Sequence, residues 1–337
     1  MFKTNKQVVL FIIFFVFFIL VAFRDFSVGI DTRGVYLSHF FYSDYRNISQ
    51  IFSEGESQFM MEKGYLLIEY IVQSLIGKTY DGYRALIVLM GLLTISSYFY
   101  ALKRSTVNEY LSAFFFVSFG FLSFSMTGIR QGLAIALCSW GVSFYLEKKH
   151  YFFYLFLLIA FFFHKSCLIL LLLPLVSKIN INRKKELWLF IFSILIIPIS
   201  AVIMRMVMNN YINFRDYSDF ELRGVNFSFT AILFYSLIVS DMIINKVNTY
   251  RMNILRWSLI LQGFIASMMF VNDLVFRLNY YFLIVTCCIY IPYMIKTYKS
   301  TILHFYYYII AFTYFFYYEI WKNSCGIFPY KCIIFDN

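Results

Sequence analysis

Arg130 and Arg277 each stand a few residues inside an apolar run, where a charge is costly to place. A guanidinium offers a planar fork of donors that fits phosphate oxygens two at a time, which an ammonium does not. Putting one into hydrocarbon costs roughly 2.5–3.5 kcal/mol, so it is expected to face a cavity and a counter-charge. Seven more arginines, at positions 24, 33, 46, 84, 205, 215 and 223, fall on the same predicted side of the chain as these two. Taken singly, each is explained by pairing with Asp31, Glu62 or Asp273, or by snorkelling to lipid headgroups. Taken jointly, nine arginines on one face describe an anion-binding vestibule. His164 sits deep in an apolar stretch beside Lys165. A lone membrane histidine is commonly a helix-to-helix hydrogen-bond partner. At a break in the chain, though, an imidazole can take a proton from a sugar hydroxyl near neutral pH. His39 is a weaker candidate of the same kind, and Asp31 is the alternative base. Tyr36, Tyr42, Tyr45, Tyr211 and Tyr217 could stack on sugar rings. No nucleotide-binding loop, DxD-like metal pair, zinc spacing or Gly-x-Ser-x-Gly elbow is present, so neither metal nor cofactor is expected. Asp216 and Asp219 alone make a weak cation signal.

The elements that must position these groups follow from composition. Of 337 residues 61% are apolar and 14% charged, whereas a soluble domain carries about a quarter charged residues. Most of the surface therefore faces lipid. Continuous apolar runs, not alternating ones, predict helices of about 20 residues and exclude a barrel. The expected fold is all-α and polytopic, with eleven spans at 8–23, 82–101, 109–126, 128–146, 151–163, 166–177, 187–205, 227–245, 254–272, 274–294 and 300–320. The net charge of +11 suggests nucleic acid until it is mapped. With the amino terminus inside, eleven of the sixteen lysines fall on the cytoplasmic side, nine in short connectors and two in the amino-terminal segment, as the positive-inside rule requires, so membrane lipids and not nucleic acid are the expected surroundings. The rule does not account for the outer arginines.

Two stretches are irregular. Segment 64–77 is too short to span and reads as an interfacial or re-entrant helix. Segment 151–177 has basic flanks at both ends, which predicts a hairpin of two short helices broken at His164-Lys165. Such a break within the membrane is tolerated beside protein or a water-filled cavity. One domain, 1–337, is expected, with outer loops 24–63 and 206–226 lining the site. Of the six cysteines, Cys325 and Cys332 could pair in an oxidising compartment.

These residues also occur in a recognisable order. Ser125-Met126-Thr127-Gly128-Ile129-Arg130-Gln131-Gly132-Leu133-Ala134, then Glu147-Lys148-Lys149, then Ala160-Phe161-Phe162-Phe163-His164-Lys165-Ser166 resembles the core of the EpsG family of Wzy-type bacterial polysaccharide polymerases. Val28 to Tyr36 resembles that family's Gly-x-Asp-x-x-x-Tyr start, Glu62-Lys63-Gly64-Tyr65 its Glu-x-Gly segment, and Phe328-Pro329-Tyr330 its closing Pro-Tyr. Lys165 stands where the family often has proline.

The resemblance implies a GT-C-like polymerase or ligase fold in the bacterial inner membrane, with its active face periplasmic. It implies a metal-independent glycosyltransferase that joins undecaprenyl-pyrophosphate-linked repeat units into O-antigen (and so serves lipopolysaccharide biosynthesis), capsule or exopolysaccharide, with a chain-length regulator as a further partner. In that setting Arg130 and Arg277 are expected to grip the pyrophosphate and His164 to act as base, with Asp31 as its fallback. Arg24, Arg33, Arg84, Arg205, Arg215 and Tyr217 would line the site, and Glu62 and Asp273 would orient arginines. The alternatives are a flippase of the lipid-linked unit, an O-antigen ligase, or a membrane acyltransferase. Flippases of such pathways have two related halves, not evident here. Ligases carry a very large late outer loop, whereas 206–226 is short.

Overall fold

A computed structural model of the chain describes residues 2–44, 47–53, 61–200, 202, 228–244, 247–270 and 275–334. Among these the secondary structure is helical, apart from one isolated bridge between Arg24 and Cys332. By length and composition, Tyr80–Ser105 and Phe276–Thr297 qualify as membrane-crossing helices. The pair Glu109–Ser118 and Phe121–Thr127, bent by 53°, qualifies as a third if it is one broken span. Val8–Ala22, His150–Phe161, Lys165–Val176 and Phe229–Ile244 are shorter apolar helices. The chain is thus an all-helical membrane protein. Loop 206–226, together with Tyr45, Arg46, Arg205 and Asp273, lies outside the described residues.

Contacts group the chain into two compact units, Met1–Leu168 with Cys287–Asn337, and Ile169–Thr286. Both divisions fall inside helical segments, which is why no linker composition marks them.

In the first unit, α1 (Phe2–Ala22) is followed by a π-helical turn, Thr32–Leu37, and by α2 (Ser38–Tyr42) and α3 (Ile48–Ser53). Next come α4 (Lys63–Ile76), α5 (Tyr80–Ser105), α6 (Glu109–Ser118), α7 (Phe121–Thr127), α8 (Ile129–Tyr145) and α9 (His150–Phe161). Local chemistry sets the ends. Thr79 and Asn108 cap α5 and α6 by accepting the amides of Gly82 and Leu111 at 3.1 and 3.2 Å, satisfying donors that a helix start leaves open. Gly77, at φ +94°, closes α4, and Gly120, at φ +76°, breaks the run that the apolar pattern joined as 109–126. Glycine is suited to such left-handed backbone.

α8 and α9 form a hairpin closed by the turn at Leu146–Lys149, where the amides of Lys148 and Lys149 donate to Tyr145 and Phe144 at 3.0 Å. α9 stops at Phe161, and the chain resumes as a 3-10 helix at Lys165–Leu171, so the predicted break at His164-Lys165 is present. The unit closes with α15 (Ile291–Thr297) and α16 (Thr301–Tyr314), which continues as a π-helical turn to Trp321. The tail then returns to α1: Asp25 and Gly29 donate to Lys331 and Gly326 at 3.0 and 2.9 Å, and Tyr330 donates to Leu20 at 2.8 Å. Cys325 and Cys332 are buried, and no disulfide joins them.

The second unit holds α10 (Leu172–Val176), α11 (Arg183–Leu195), α12 (Phe229–Ile244), α13 (Tyr250–Met269) and α14 (Phe276–Val285). Asn253 accepts from the amide of Ile181 at 2.9 Å and donates to Ser177 at 2.8 Å, tying α13 to the turn before α11. Arg256, read from sequence as a cytoplasmic flank, is buried and paired with Asp241 at 2.9 Å.

Candidate active site

The first unit gathers two of the residues singled out above, Arg130 and His164, around the carboxylate of a third, Glu62. Glu62 is the N-cap residue of α4. One of its oxygens receives the Arg130 guanidinium, and the other lies 2.6 Å from Nδ1 of His164. Arg130 comes from the first turn of α8, just after Gly128, and His164 from the gap between α9 and the 3-10 helix. The α8–α9 hairpin is what brings these two to the same end.

A backbone contact joins α4 to that end. The amide of Gly64 donates to Phe162 O at 2.8 Å, and a Cβ on Gly64 would lie 2.7 Å from the same oxygen. Only glycine permits this approach, which gives the Glu-x-Gly segment a physical reason: the glycine lets the helix abut the break, and the glutamate then reaches the histidine.

All three side chains are largely buried. Arg130, Glu62 and His164 keep 17%, 11% and 27% of their side-chain surface exposed, so the imidazole is the most accessible member. Burial by itself raises the Glu62 pKa, but the His164 hydrogen bond and the Arg130 charge outweigh it, and the carboxyl is held below the usual glutamate value. The Arg130 guanidinium lies 5.7 Å from the centroid of the Tyr36 ring, which in turn lies tilted against the Tyr65 ring with centroids 5.5 Å apart.

An ionised Glu62 favours the tautomer in which Nδ1 of His164 donates to Oε1. In the neutral imidazole that tautomer leaves the lone pair on Nε2, the arrangement by which a carboxylate orients a catalytic imidazole. A second pair of the same kind stands seven residues along α4. His39 Nδ1 lies 3.0 Å from both oxygens of the fully buried Glu69, which also accepts from Ser43 at 3.0 Å.

The other predicted residues are placed differently. Arg24 is 1% exposed; its guanidinium donates to the carbonyls of Val21, Val28 and Met126 and to Thr32. Burial pushes its pKa down to about 10. Its donors are committed to the protein's own backbone, and it serves as a strut between α1, the loop after it and α7, not as a phosphate ligand at the surface. Arg84 likewise donates to the carbonyls of Ala22 and Arg24 and covers the Phe26 ring at 4.0 Å. Arg33 is exposed on the π-helical turn. The amide of Asp31 donates to Thr127 Oγ1 at 3.2 Å, which sets Asp31 beside the end of α7. Arg277 is exposed on the first turn of α14, in the second unit. Arg205, Arg215, Tyr217 and Asp273 lie outside the described residues.

The sequence named Glu62, Arg130 and His164 but not the fact that one carboxylate serves both partners. The signal that could have found it was the Glu-x-Gly segment read beside the break at His164. The sequence also gave no reason to couple His39 with Glu69.

A family model matches residues 7–332, nearly the whole length, under the description EpsG family. The chain belongs to the EpsG family. That is a family of Wzy-like polymerases, so this member is in broad terms a polysaccharide polymerase of the glycosyltransferase kind. No curated protein and no solved structure matches the chain.

Proposed function

We propose that this EpsG-family protein joins oligosaccharide repeat units carried on undecaprenyl pyrophosphate, on the periplasmic face of the inner membrane, with Glu62, Arg130 and His164 at the reacting centre. The observation that carries this is the shared carboxylate: Glu62 holds a base and a phosphate-type cation within reach of one another.

The acceptor is the non-reducing end of an incoming lipid-linked unit. Nε2 of His164 takes the proton from its hydroxyl. The oxygen bonds to the anomeric carbon of the donor chain, and the bond from that carbon to the pyrophosphate oxygen breaks. The electron pair leaves on the lipid pyrophosphate. Arg130 supplies positive charge where negative charge develops, and Glu62 stabilises the imidazolium that forms. An oriented general base contributes roughly 10²–10⁴-fold to such a step. The energy of the new linkage comes from the activated lipid carrier, so no nucleotide site is required.

The test is a gel of the surface glycan from a deletion strain complemented with variants. Arg130→Ala is expected to yield core carrying a single repeat unit in place of the long ladder. His164→Ala is expected to do the same at normal expression. Full-length chains from His164→Ala would show that another group is the base. Core with no added unit at all would favour a flippase or a ligase.

A further inference from the structure

Two buried polar atoms close to this centre have no protein partner among the described residues, and each is what the other lacks. Nε of Arg130 is a donor without an acceptor, and the hydroxyl of Tyr65 is without a hydrogen bond. Tyr65 is fully buried in the first turn of α4, three residues after Glu62. The Tyr36 ring adjoins both groups, lying 5.5 Å from the Tyr65 ring and 5.7 Å from the Arg130 guanidinium. Tyr65 and Arg130 are also within electrostatic reach of each other. Burial pushes the Tyr65 phenol well up, so it stays a neutral hydroxyl able to accept as well as donate.

A buried polar group without a partner costs on the order of 1–3 kcal/mol, and native structures hold few of them. Two complementary ones beside the same ring describe a second arrangement of the same side chains. In the free protein the Arg130 guanidinium is held through NH1 by Glu62 and is also hydrogen-bonded to Tyr36, a contact the substrate would have to share or displace. The Glu62 contact occupies one of the two terminal nitrogens with which a guanidinium grips a phosphate end-on.

We propose that Tyr65 is a positioning residue that takes over Arg130 when substrate arrives: Nε–H turns onto the Tyr65 oxygen, NH1 leaves Glu62, and the freed fork of NH1 and NH2 closes on the pyrophosphate. Glu62 then serves His164 alone, when the imidazole must accept a proton. This rests on Arg130 being the pyrophosphate ligand, and it adds that the arginine changes partner to become one.

The test uses purified full-length protein in lipid nanodiscs, with inorganic pyrophosphate as the probe and thermal melting as the readout. Pyrophosphate is expected to raise the melting temperature of the wild type, as any ligand of the folded state does. Tyr65→Phe removes a hydroxyl that has no partner in the free state, so it is expected to melt at the same or a higher temperature without pyrophosphate. Its apparent affinity for pyrophosphate is expected to fall about tenfold, the worth of one hydrogen bond to a charged group. Arg130→Lys has no Nε–H to hand over, so adding Tyr65→Phe to it is expected to weaken binding no further.

Tyr65→Phe melting several degrees lower without pyrophosphate would mean the hydroxyl is an ordinary structural group and would overturn the proposal. Wild-type affinity in Tyr65→Phe would overturn it as well. If Arg130→Ala responds to pyrophosphate as the wild type does, the arginine is not the phosphate ligand, and the failure lies in the assignment beneath this one.

Discussion

At the scale of residues, Glu62 is the group on which the centre turns, because its two oxygens do different work. Glutamine keeps the shape but carries no charge, so Glu62→Gln loses the ion pair with Arg130 and the stabilisation of the imidazolium formed on His164. Turnover is expected to fall by about 10²–10⁴-fold, the range for loss of general base catalysis, in an assay of polymer formed from lipid-linked repeat units. The pH dependence has a definite sign. The Glu62 pKa is lower in the folded protein than the ordinary glutamate value of about 4.5. Its contribution to stability is therefore fully present above that ordinary value and is lost as pH falls through the still lower folded one. Melting curves from about pH 3 to pH 7 are expected to show a wild-type loss on that acid side which Glu62→Gln lacks. Any fall in activity between about pH 5 and pH 7 then belongs to another group. Residue type and spacing were enough to single out Arg130 and His164. They could not separate Arg130 from Arg24, because both are arginines beside apolar runs. What separates them is three-dimensional: Arg24 finds carbonyls at Val21, Val28 and Met126, whereas Arg130 finds a carboxylate.

At the scale of elements, the site depends on one close approach, between the start of α4 and the end of α9. Gly64→Ala would put a Cβ 2.7 Å from Phe162 O, and the contacting atom is backbone, which cannot swing aside. Overpacking of this kind costs about 1–3 kcal/mol. Turnover is expected to fall further than stability does, because the displaced helix start carries Glu62 away from His164. Gly34→Ala is the matched control: a Cβ there meets nothing within 4 Å, and melting temperature and polymer length are expected to stay at wild-type values. The break beside His164 was legible because basic residues flank both ends of an otherwise continuous apolar run. The bend of 53° between α6 and α7 was not. Apolar residues fill both sides of it, and hydrophobicity does not distinguish a straight helix from one turned at Gly120. The short helix α4 was legible by its length, while its role was not, since burial of Glu69 and the approach of Gly64 to Phe162 join residues far apart in the chain.

At the scale of the whole molecule, the chemistry demands a particular orientation in the membrane. In the first unit, α8 has Arg130 in its first turn and the basic turn Glu147-Lys148-Lys149 just past its last. Seventeen helical residues separate these by about 25 Å, most of the ~30 Å hydrocarbon core. α9 then climbs back to His164. The hairpin therefore sets Arg130 and His164 at one end and Lys148 and Lys149 at the other, and lysines are retained on the cytoplasmic side. If the donor is a lipid pyrophosphate delivered to the periplasmic leaflet, Lys165 must face the periplasm and Lys149 the cytoplasm. Both are exposed, so each can be replaced by cysteine in a protein whose native thiols Cys138, Cys167, Cys287, Cys288, Cys325 and Cys332 are buried. In spheroplasts a membrane-impermeant maleimide is expected to label Lys165→Cys at once, and Lys149→Cys only after the membrane is permeabilised. Wild-type protein, run in parallel, sets the background from the buried thiols. The opposite labelling pattern would place His164 and Arg130 in the cytoplasmic leaflet. There they could not meet a chain growing on the outer one, and the assignment of this centre to polymerisation would have to be given up however well its geometry suits the reaction.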